Sequence, residues 1–244
     1  MASVDVLALA YQTARALGPV LTSLCQRLPL SQPAALQARS TAYLISAIQA
    51  PAIISPVEVA LIGQTFATAV VAIAADVEPA DAAPAFADAA ATASIAAPVF
   101  TSPARTAAGT LARMLAACCE AALLGQSFVA EAKSDFVDQQ SAVAARARIV
   151  TAMDGATDRI GAAAGLEVIS LLSQVANTCS AHLATLAADL KPLVQVATPR
   201  SVPSSVLAWE LYDDPERGEE LVARNRTMTP LFMPTKLVAL APGA

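Results

Sequence analysis

Cys179 stands three residues before the single histidine, His182, and Cys118 is followed directly by Cys119. Thiol and imidazole together suggest a zinc site or a nucleophile with its base. Zinc coordination calls for Cys-x2-Cys pairs or a second histidine, and the spacing supplies neither. The thiols are therefore expected to be small buried hydrophobes. His182 has no evident acid or nucleophile to pair with, so it is expected as a partly exposed or capping residue. Arg146, Arg148 and Arg159 come nearest to a phosphate-binding cluster. Asp154 and Asp158 offset them and the net charge is −5. They are read as the solvated face of a helix, with no nucleic-acid partner. Asp213-Asp214 could do acid–base work, but next to Pro215 they are explained more simply as caps. With no glycine-rich phosphate loop and no metal-ligand spacing, the chain is expected to be no enzyme and to need no cofactor.

The elements that hold these residues are read from composition and period. Hydrophobic residues make up 56% of the chain and aromatics only 4%. Much of the apolar share is alanine, the best helix former. The chain is therefore expected to be mainly α, an Ala-rich helical bundle with long helices. Leu7, Ala10, Ala14, Leu17, Leu21, Leu24 and Leu28 follow a 3-4 spacing that lines one helix face. Gly18-Pro19 predicts a kink or break within it. A second helix is predicted over roughly 33–49, then a connector at Pro51-Ala52-Ile53-Ile54. A third starts at Pro56 behind the cap Ser55 and ends near Asp76. A short helix is expected between Pro84 and Pro98. Ser102-Pro103 opens another that reaches about Leu124, where Gly125 can close it. Its face of Leu111, Leu115, Cys118 and Ala122 turns Cys118 inward and Cys119 to the flank.

From about Asp138 to Leu190 one drifting stripe runs through Val150, Met153, Ile160, Ala164, Val168, Leu171, Val175, Cys179, Leu183, Leu186 and Leu190. Gly155, Gly161 and Gly165 are where it could bend or divide. The stretch 57–75 is long enough for a membrane span, but Glu58, Gln64, Thr65 and Thr68 and the lack of flanking Lys or Arg favour a buried Ala-rich helix, so no span is expected. The start, Met1-Ala2-Ser3-Val4-Asp5, lacks the basic and apolar regions of a signal peptide. Reduced thiols in a cytosolic product are expected.

After residue 190 the pattern changes. Leu193-Val194-Gln195-Val196 reads as a strand. Ser204 or Ser205 caps a helix through Val206, Leu207, Trp209 and Leu211, and Asp214 caps a second before Pro215. Leu221 and Val222 give that second helix its apolar side, and Asn225 is read as its left-handed stop. Arg217 and Arg224 have Glu220 and Asp214 as possible partners. Pro230 and Pro234 bracket Leu231, Phe232 and Met233, and 236–240 reads as a final strand. The result is a small α+β module, strand-helix-helix-strand, with Trp209, Tyr212 and Phe232 expected to supply most of its aromatic core. Two domains follow, 1–190 helical and 191–244 the module.

Over about residues 190–241 the sequence resembles the C-terminal part of the phage DNA-circularisation protein family, the Mu-type tail proteins. The resemblance rests on Pro203 to Ala208, on the turn Leu211-Tyr212-Asp213-Asp214, and on Arg217, Glu220, Leu221, Arg224 and Asn225. Pro230, Phe232 and Pro234, then Leu237 and Leu240, complete it. Asp213 stands where the family tends to have glycine, and aspartate tolerates a left-handed turn. The element order is also similar to LysM modules. What the resemblance implies is a structural component of a phage tail, in the baseplate hub or at the tube end. It would be made in the host cytoplasm, carried in the virion, and bound to other tail or baseplate proteins and to copies of itself. Its docking motif would be Trp209, Leu211, Tyr212, Asp214, Arg217, Glu220, Arg224, Asn225, Pro230, Phe232 and Pro234. Peptidoglycan binding by the LysM-like end and DNA circularisation are the alternatives.

Overall fold

The computed structural model describes residues 4–48 and 55–241. Gln49 and the connector Pro51-Ala52-Ile53-Ile54 lie outside the described residues. In chain order the elements are α1 (Val4–Arg27), α2 (Gln32–Ala47), α3 (Pro56–Asp76), α4 (Pro79–Ser94), α5 (Pro103–Ala108), α6 (Thr110–Lys133), α7 (Gln139–Ala164) and α8 (Leu166–Asp189). There follow β1 (Leu193–Ala197), α9 (Ser204–Tyr212), a 3-10 turn (Pro215–Arg217), α10 (Gly218–Arg224) and β2 (Lys236–Leu240). The fold is mainly α with a small α+β part at its C-terminal end. It divides into two compact units, residues 1–135 with 145–182 and residues 136–144 with 183–244.

In the first, helical unit α1 packs against α2 and α6, α4 lies along α6, and α3 adjoins both α2 and α6. The α1 stripe is as expected: Ala10, Ala14, Leu17, Leu21, Leu24 and Leu28 are all buried. Along the α4–α6 seam the buried residues are mostly small, among them Ala82, Ala85, Ala89 and Ala93 opposite Ala112, Ala116 and Cys119. Side chains this short let two helix backbones approach closely. Phe66, Phe86 and Phe128 are fully buried and form the aromatic centre of this unit. The buried Ser127 hydroxyl donates to the Ala83 carbonyl of α4 at 2.9 Å.

Several boundaries and phases differ from the sequence reading, each for a local reason. Helix α1 runs unbroken through Gly18-Pro19 because Pro19 takes an exposed position. Gly18 is needed against α2, where a Cβ would meet Ser46 Oγ at 1.9 Å. Helix α4 starts at Pro79, so Pro84 falls early in it and interrupts little of the ladder. Helix α5 stops at Gly109, and α6 passes straight through Gly125 because Leu123, Leu124, Ser127 and Phe128 must all stay on its buried side. The same phase turns Cys119 inward and leaves Cys118 half-buried, the reverse of the expectation.

The long pattern after residue 138 divides at Gly165, whose φ of +90° suits glycine. Its buried line is Ala145, Ile149, Ala156, Ile160, Ile169, Leu172, Ala176, Cys179 and Leu183, while Val150 and Leu171 face water. Alanines have taken places that the stripe assigned to larger residues. Helices α3 and α6 are both long and apolar enough to cross a membrane. Of their most apolar stretches 61% is buried in α6 but only 33% in α3, so α3 is not the wholly buried helix expected.

The arginines of α7 are not simply a solvated face. Arg148 donates through Nε and Nη2 to Glu131 at 2.6 and 2.7 Å. Arg159 Nε reaches both carboxylate oxygens of Glu120 at 3.2 Å. Glu120 and Glu131 are buried on α6, whereas the arginines stay about half exposed. Their aliphatic stems lead from solvent to carboxylates whose burial is offset by the paired guanidinium groups. Removing the cation should therefore cost more than removing both groups. Arg159→Ala is expected to destabilise by about 2–3 kcal/mol, below the ~3–5 kcal/mol of a pair buried at both ends. Adding Glu120→Gln should return at least half of that loss, as read from urea unfolding monitored by circular dichroism.

Candidate functional site

The second unit is built around strands β1 and β2, which pair antiparallel with Leu193 opposite Leu240 and Gln195 opposite Val238. Between them come α9, the 3-10 turn and α10, giving the predicted strand-helix-helix-strand order. The core is Leu207, Ala208, Leu221, Met233, Leu237 and Ala239, with Leu211, Tyr212 and Val222 packed against it. The expected aromatic core is not there. Trp209 is 56% and Phe232 70% exposed, and of the three aromatics only Tyr212 packs on the core. The reason is helical phase: Leu207, Ala208 and Leu211 take the inner side of α9, which turns Trp209 outward.

The turn between the helices holds as its residue types require. Asp213 adopts the left-handed conformation, φ 59°, at the end of α9. Asp214 Oδ1 accepts the Glu216 N–H at 2.9 Å and caps the 3-10 turn. Helix α9 starts with its serines already inside it and Pro203 at the cap position, so neither Ser204 nor Ser205 caps it. Buried Ser204 instead gives its N–H to the Pro230 carbonyl at 2.7 Å. Gly218 is required by close approach, because a Cβ there would lie 3.1 Å from both Ser204 Oγ and the Ser205 nitrogen.

From Tyr212 a connected polar network runs across the unit. The Arg217 guanidinium stacks on the Tyr212 ring, 3.8 Å from its centre. Arg217 Nη2 donates to Glu220 at 2.6 Å, and Arg224 Nη2 reaches the other Glu220 oxygen at 3.1 Å. Arg224 Nη1 extends to Asp138 at 3.4 Å. The other Asp138 oxygen accepts the Ser141 N–H at 2.8 Å, at the start of α7. Arg224 and Asp138 expose only 13% and 9% of their side chains, which lifts this pair above an ordinary surface contact. Glu220 is thus a partner of both arginines, as read from the sequence, and Asp214 of neither.

Asn225 has a different role from the one expected. Its φ is −93°, and the left-handed residue is the next one, Arg226, at 51°. The Asn225 amide instead takes the place of a neighbouring strand. Its Oδ1 accepts the Val238 N–H at 2.7 Å, and its Nδ2 donates to the Val238 carbonyl at 2.9 Å. The same Nδ2 donates to the Leu221 carbonyl at 2.9 Å. Gln140 does the like for β1: its Oε1 accepts the Leu193 N–H at 2.7 Å and its Nε2 donates to the Leu193 carbonyl at 3.2 Å. Tyr212 completes the β2 edge, its hydroxyl accepting the Leu240 N–H at 3.0 Å. Asp138 and Gln140 were missed in the sequence because both lie more than fifty positions from their partners in the unit.

The motif residues therefore fall into two groups. Leu211, Tyr212, Asp214, Arg217, Glu220, Arg224 and Asn225 are turned into the unit's own architecture. Trp209, Phe232, Pro230 and Pro234 face solvent, as do Val206, Met228 and Leu231. Nothing in this arrangement brings a nucleophile, a base and an oxyanion donor together. Among the described residues no three His, Cys, Asp or Glu side chains gather as metal ligands. Cys179 is buried while His182, one turn on, is exposed. Burial pushes the Cys118 and Cys119 thiols up, away from the reactive thiolate, and most strongly at Cys119. No protein-family model matches the chain, and no curated protein matches it significantly.

Two expectations follow from the edge bonds. Asn225→Ala should destabilise by about 2–4 kcal/mol, since it leaves both Val238 groups unpaired. Asn225→Asp should lose nearly as much, because it removes both donors; urea titration of each variant checks this. Burial pushes the Tyr212 phenol above its usual range. The unfolded chain therefore loses that proton first, near pH ~10, and stability falls as pH rises further. Tyr212→Phe should cost about 1–2 kcal/mol at neutral pH. It should also flatten the fall in stability as pH rises above ~10.

Proposed function

We propose that this chain is a non-enzymatic structural component of a bacteriophage tail, in the baseplate hub or at the tube end. Its helical unit packs against copies of itself and neighbouring tail proteins, and its C-terminal unit docks onto them. The observation that carries this reading is the division of roles within the C-terminal unit. Tyr212, Asp214, Arg217, Glu220, Arg224 and Asn225, which resemble the tail-protein family, are used in internal bonds, while Phe232 of the same motif, with Trp209, Leu231 and Met228, stands in water. A small unit that spends its polar residues on rigidity and leaves large apolar ones outside is suited to binding a protein surface. Its exposed charges are nearly balanced, Asp189, Glu210, Asp213, Glu216 and Glu219 against Lys191, Arg200, Arg226 and Lys236, so the unit lacks the excess of positive charge that a DNA-handling role needs.

Peptidoglycan binding is the second reading, favoured by exposed aromatics on a strand-helix-helix-strand unit. Retention of the purified chain on isolated cell wall would support it; free passage removes it.

For the tail reading, Trp209→Ala with Phe232→Ala is expected to leave circular dichroism and the melting temperature nearly unchanged. Phage carrying the pair should yield at least tenfold fewer infectious particles, with incomplete tails in electron micrographs. Complete, infectious tails formed with the gene deleted would overturn the reading.

A further inference from the structure

Within the helical unit, the loop after α4 and parts of α6 and α7 line a cleft of about 310 Å³. That size is at the lower end of the ~300–1,000 Å³ of small-molecule sites. Ala116, Ala117 and Glu120 of α6 line its buried side, and Glu120 is only 2% exposed. Pro98 and Val99 line it from the loop, Ala162 and Ala163 from α7. Its charged side chains are Arg113, Glu120 and Arg159, and they are not equivalent. Arg159 is fully committed: Nε and Nη2 hold Glu120, and Nη1 donates to the Gly155 carbonyl at 2.6 Å. Arg113, partly buried near the start of α6, has no carboxylate partner among the described residues. Its Nη2 donates to the Thr110 hydroxyl at 3.3 Å. Two guanidinium groups against one carboxylate leave the cleft with an unbalanced positive charge, and that charge is Arg113.

We propose that this cleft binds a small amphipathic carboxylate, its anionic head on Arg113 and its apolar body against Pro98, Val99 and the alanines. This goes beyond the tail reading and does not rest on it. Charge selects the head group. A monoanion balances the surplus of the cleft, and the planar guanidinium matches a carboxylate with two parallel hydrogen bonds. A cation would be repelled by Arg113 and would have to displace Arg159 from Glu120 to find a partner. A neutral ligand would cover Arg113 and leave its charge without compensation. The lining selects the body. Ser94 is the one uncharged polar residue among the described lining residues, and its hydroxyl is spent on the Ala91 carbonyl at 2.7 Å. A sugar or a base would therefore bury hydroxyl or amide groups with nothing to bond, whereas a hydrocarbon body meets alanine, proline and valine. The Glu120–Arg159 pair holds α6 and α7 together beside the cleft, so little ordering cost is left for binding.

The test is titration of the purified full chain with sodium octanoate, followed by calorimetry and by amide chemical shifts. One saturable site with a Kd of about 1 mM or tighter is expected for a ligand of this size. The shifts should gather at Ala97, Val99, Ala117 and Ala163. Octylamine and octan-1-ol, with the same body and a cationic or neutral head, should bind at least tenfold more weakly. Arg113→Gln should weaken octanoate binding at least tenfold with unchanged circular dichroism. Ala162→Phe, which fills the cleft from an exposed position of α7, carries the same expectation should the first variant fold poorly. Absence of saturable binding up to ~10 mM overturns the proposal, and so does binding that ignores the head group. Folded variants that bind octanoate as the wild type does overturn it as well, as do shifts confined to surfaces away from the cleft.

Discussion

An interior made largely of alanine buries little apolar area per residue, and the rest of this structure answers to that constraint. At ~25 cal/mol per Å² a buried alanine contributes far less than a leucine, so each helix pair must gain by approaching closely. The α4–α6 seam is the clearest case, with alanines and Cys119 on both sides and the larger Phe86 and Phe128 filling what remains. Close approach brings backbone near backbone, and a small polar group then reaches across. Ser127 bonds the Ala83 carbonyl in this way. Gly18 belongs to the same pattern, since α2 comes too near for any side chain there.

Polar links between elements supply what thin apolar packing cannot. Glu120 and Glu131 are buried on α6, and only the arginines from α7 make their charge tolerable. Such pairs contribute more to specificity than to net stability. They tie α7 to α6 at two points, Arg148 to Glu131 and Arg159 to Glu120. In the C-terminal unit the corresponding problem is a sheet of only two strands, which is marginal in water by itself. Here side-chain amides act as missing strands. Asn225 pairs both main-chain groups of Val238, Gln140 both of Leu193, and the Tyr212 hydroxyl takes the Leu240 N–H. The Asn225 and Tyr212 bonds are made to β2, and those of Gln140 to its partner strand β1.

What the sequence made legible follows from the same physics. The α1 stripe was readable because its leucines recur at 3-4 spacing against polar residues. The stripe after residue 138 was legible at Ile160, Cys179 and Leu183, which are buried, but not at Val150 and Leu171, which face water while alanines such as Ala145, Ala156 and Ala176 take inward positions. Cys118 and Cys119 were exchanged for the same reason, since a shift of one position cannot be told apart among alanines. In the C-terminal unit the element order and the Asp213-Asp214 turn were readable from local propensity. The aromatic core was not, because burial there is decided by which face of α9 meets the sheet. Asn225 was assigned a local role that fits its residue type, while its actual partner lies thirteen positions away on β2.

The position of the aromatics carries the last step. Phe66, Phe86 and Phe128 show that this chain buries aromatic rings where the fold needs volume. Trp209 and Phe232 remain outside a unit whose own core closes without them, around Met233 and Leu221. Moving either ring inward would require α9 or the segment after Pro230 to turn away from contacts that hold it, such as the Ser204 N–H to the Pro230 carbonyl. The exposure of these rings is therefore set by rigid elements and not by a lack of space for them. A rigid element that holds a large apolar side chain in water pays its desolvation gain forward to whatever covers it, with little ordering cost left at binding. The same reasoning applies to Leu44 and Leu61, which sit on regular helices whose opposite sides are already packed. Both units thus hold apolar residues in water on rigid elements whose packed sides are already complete without them.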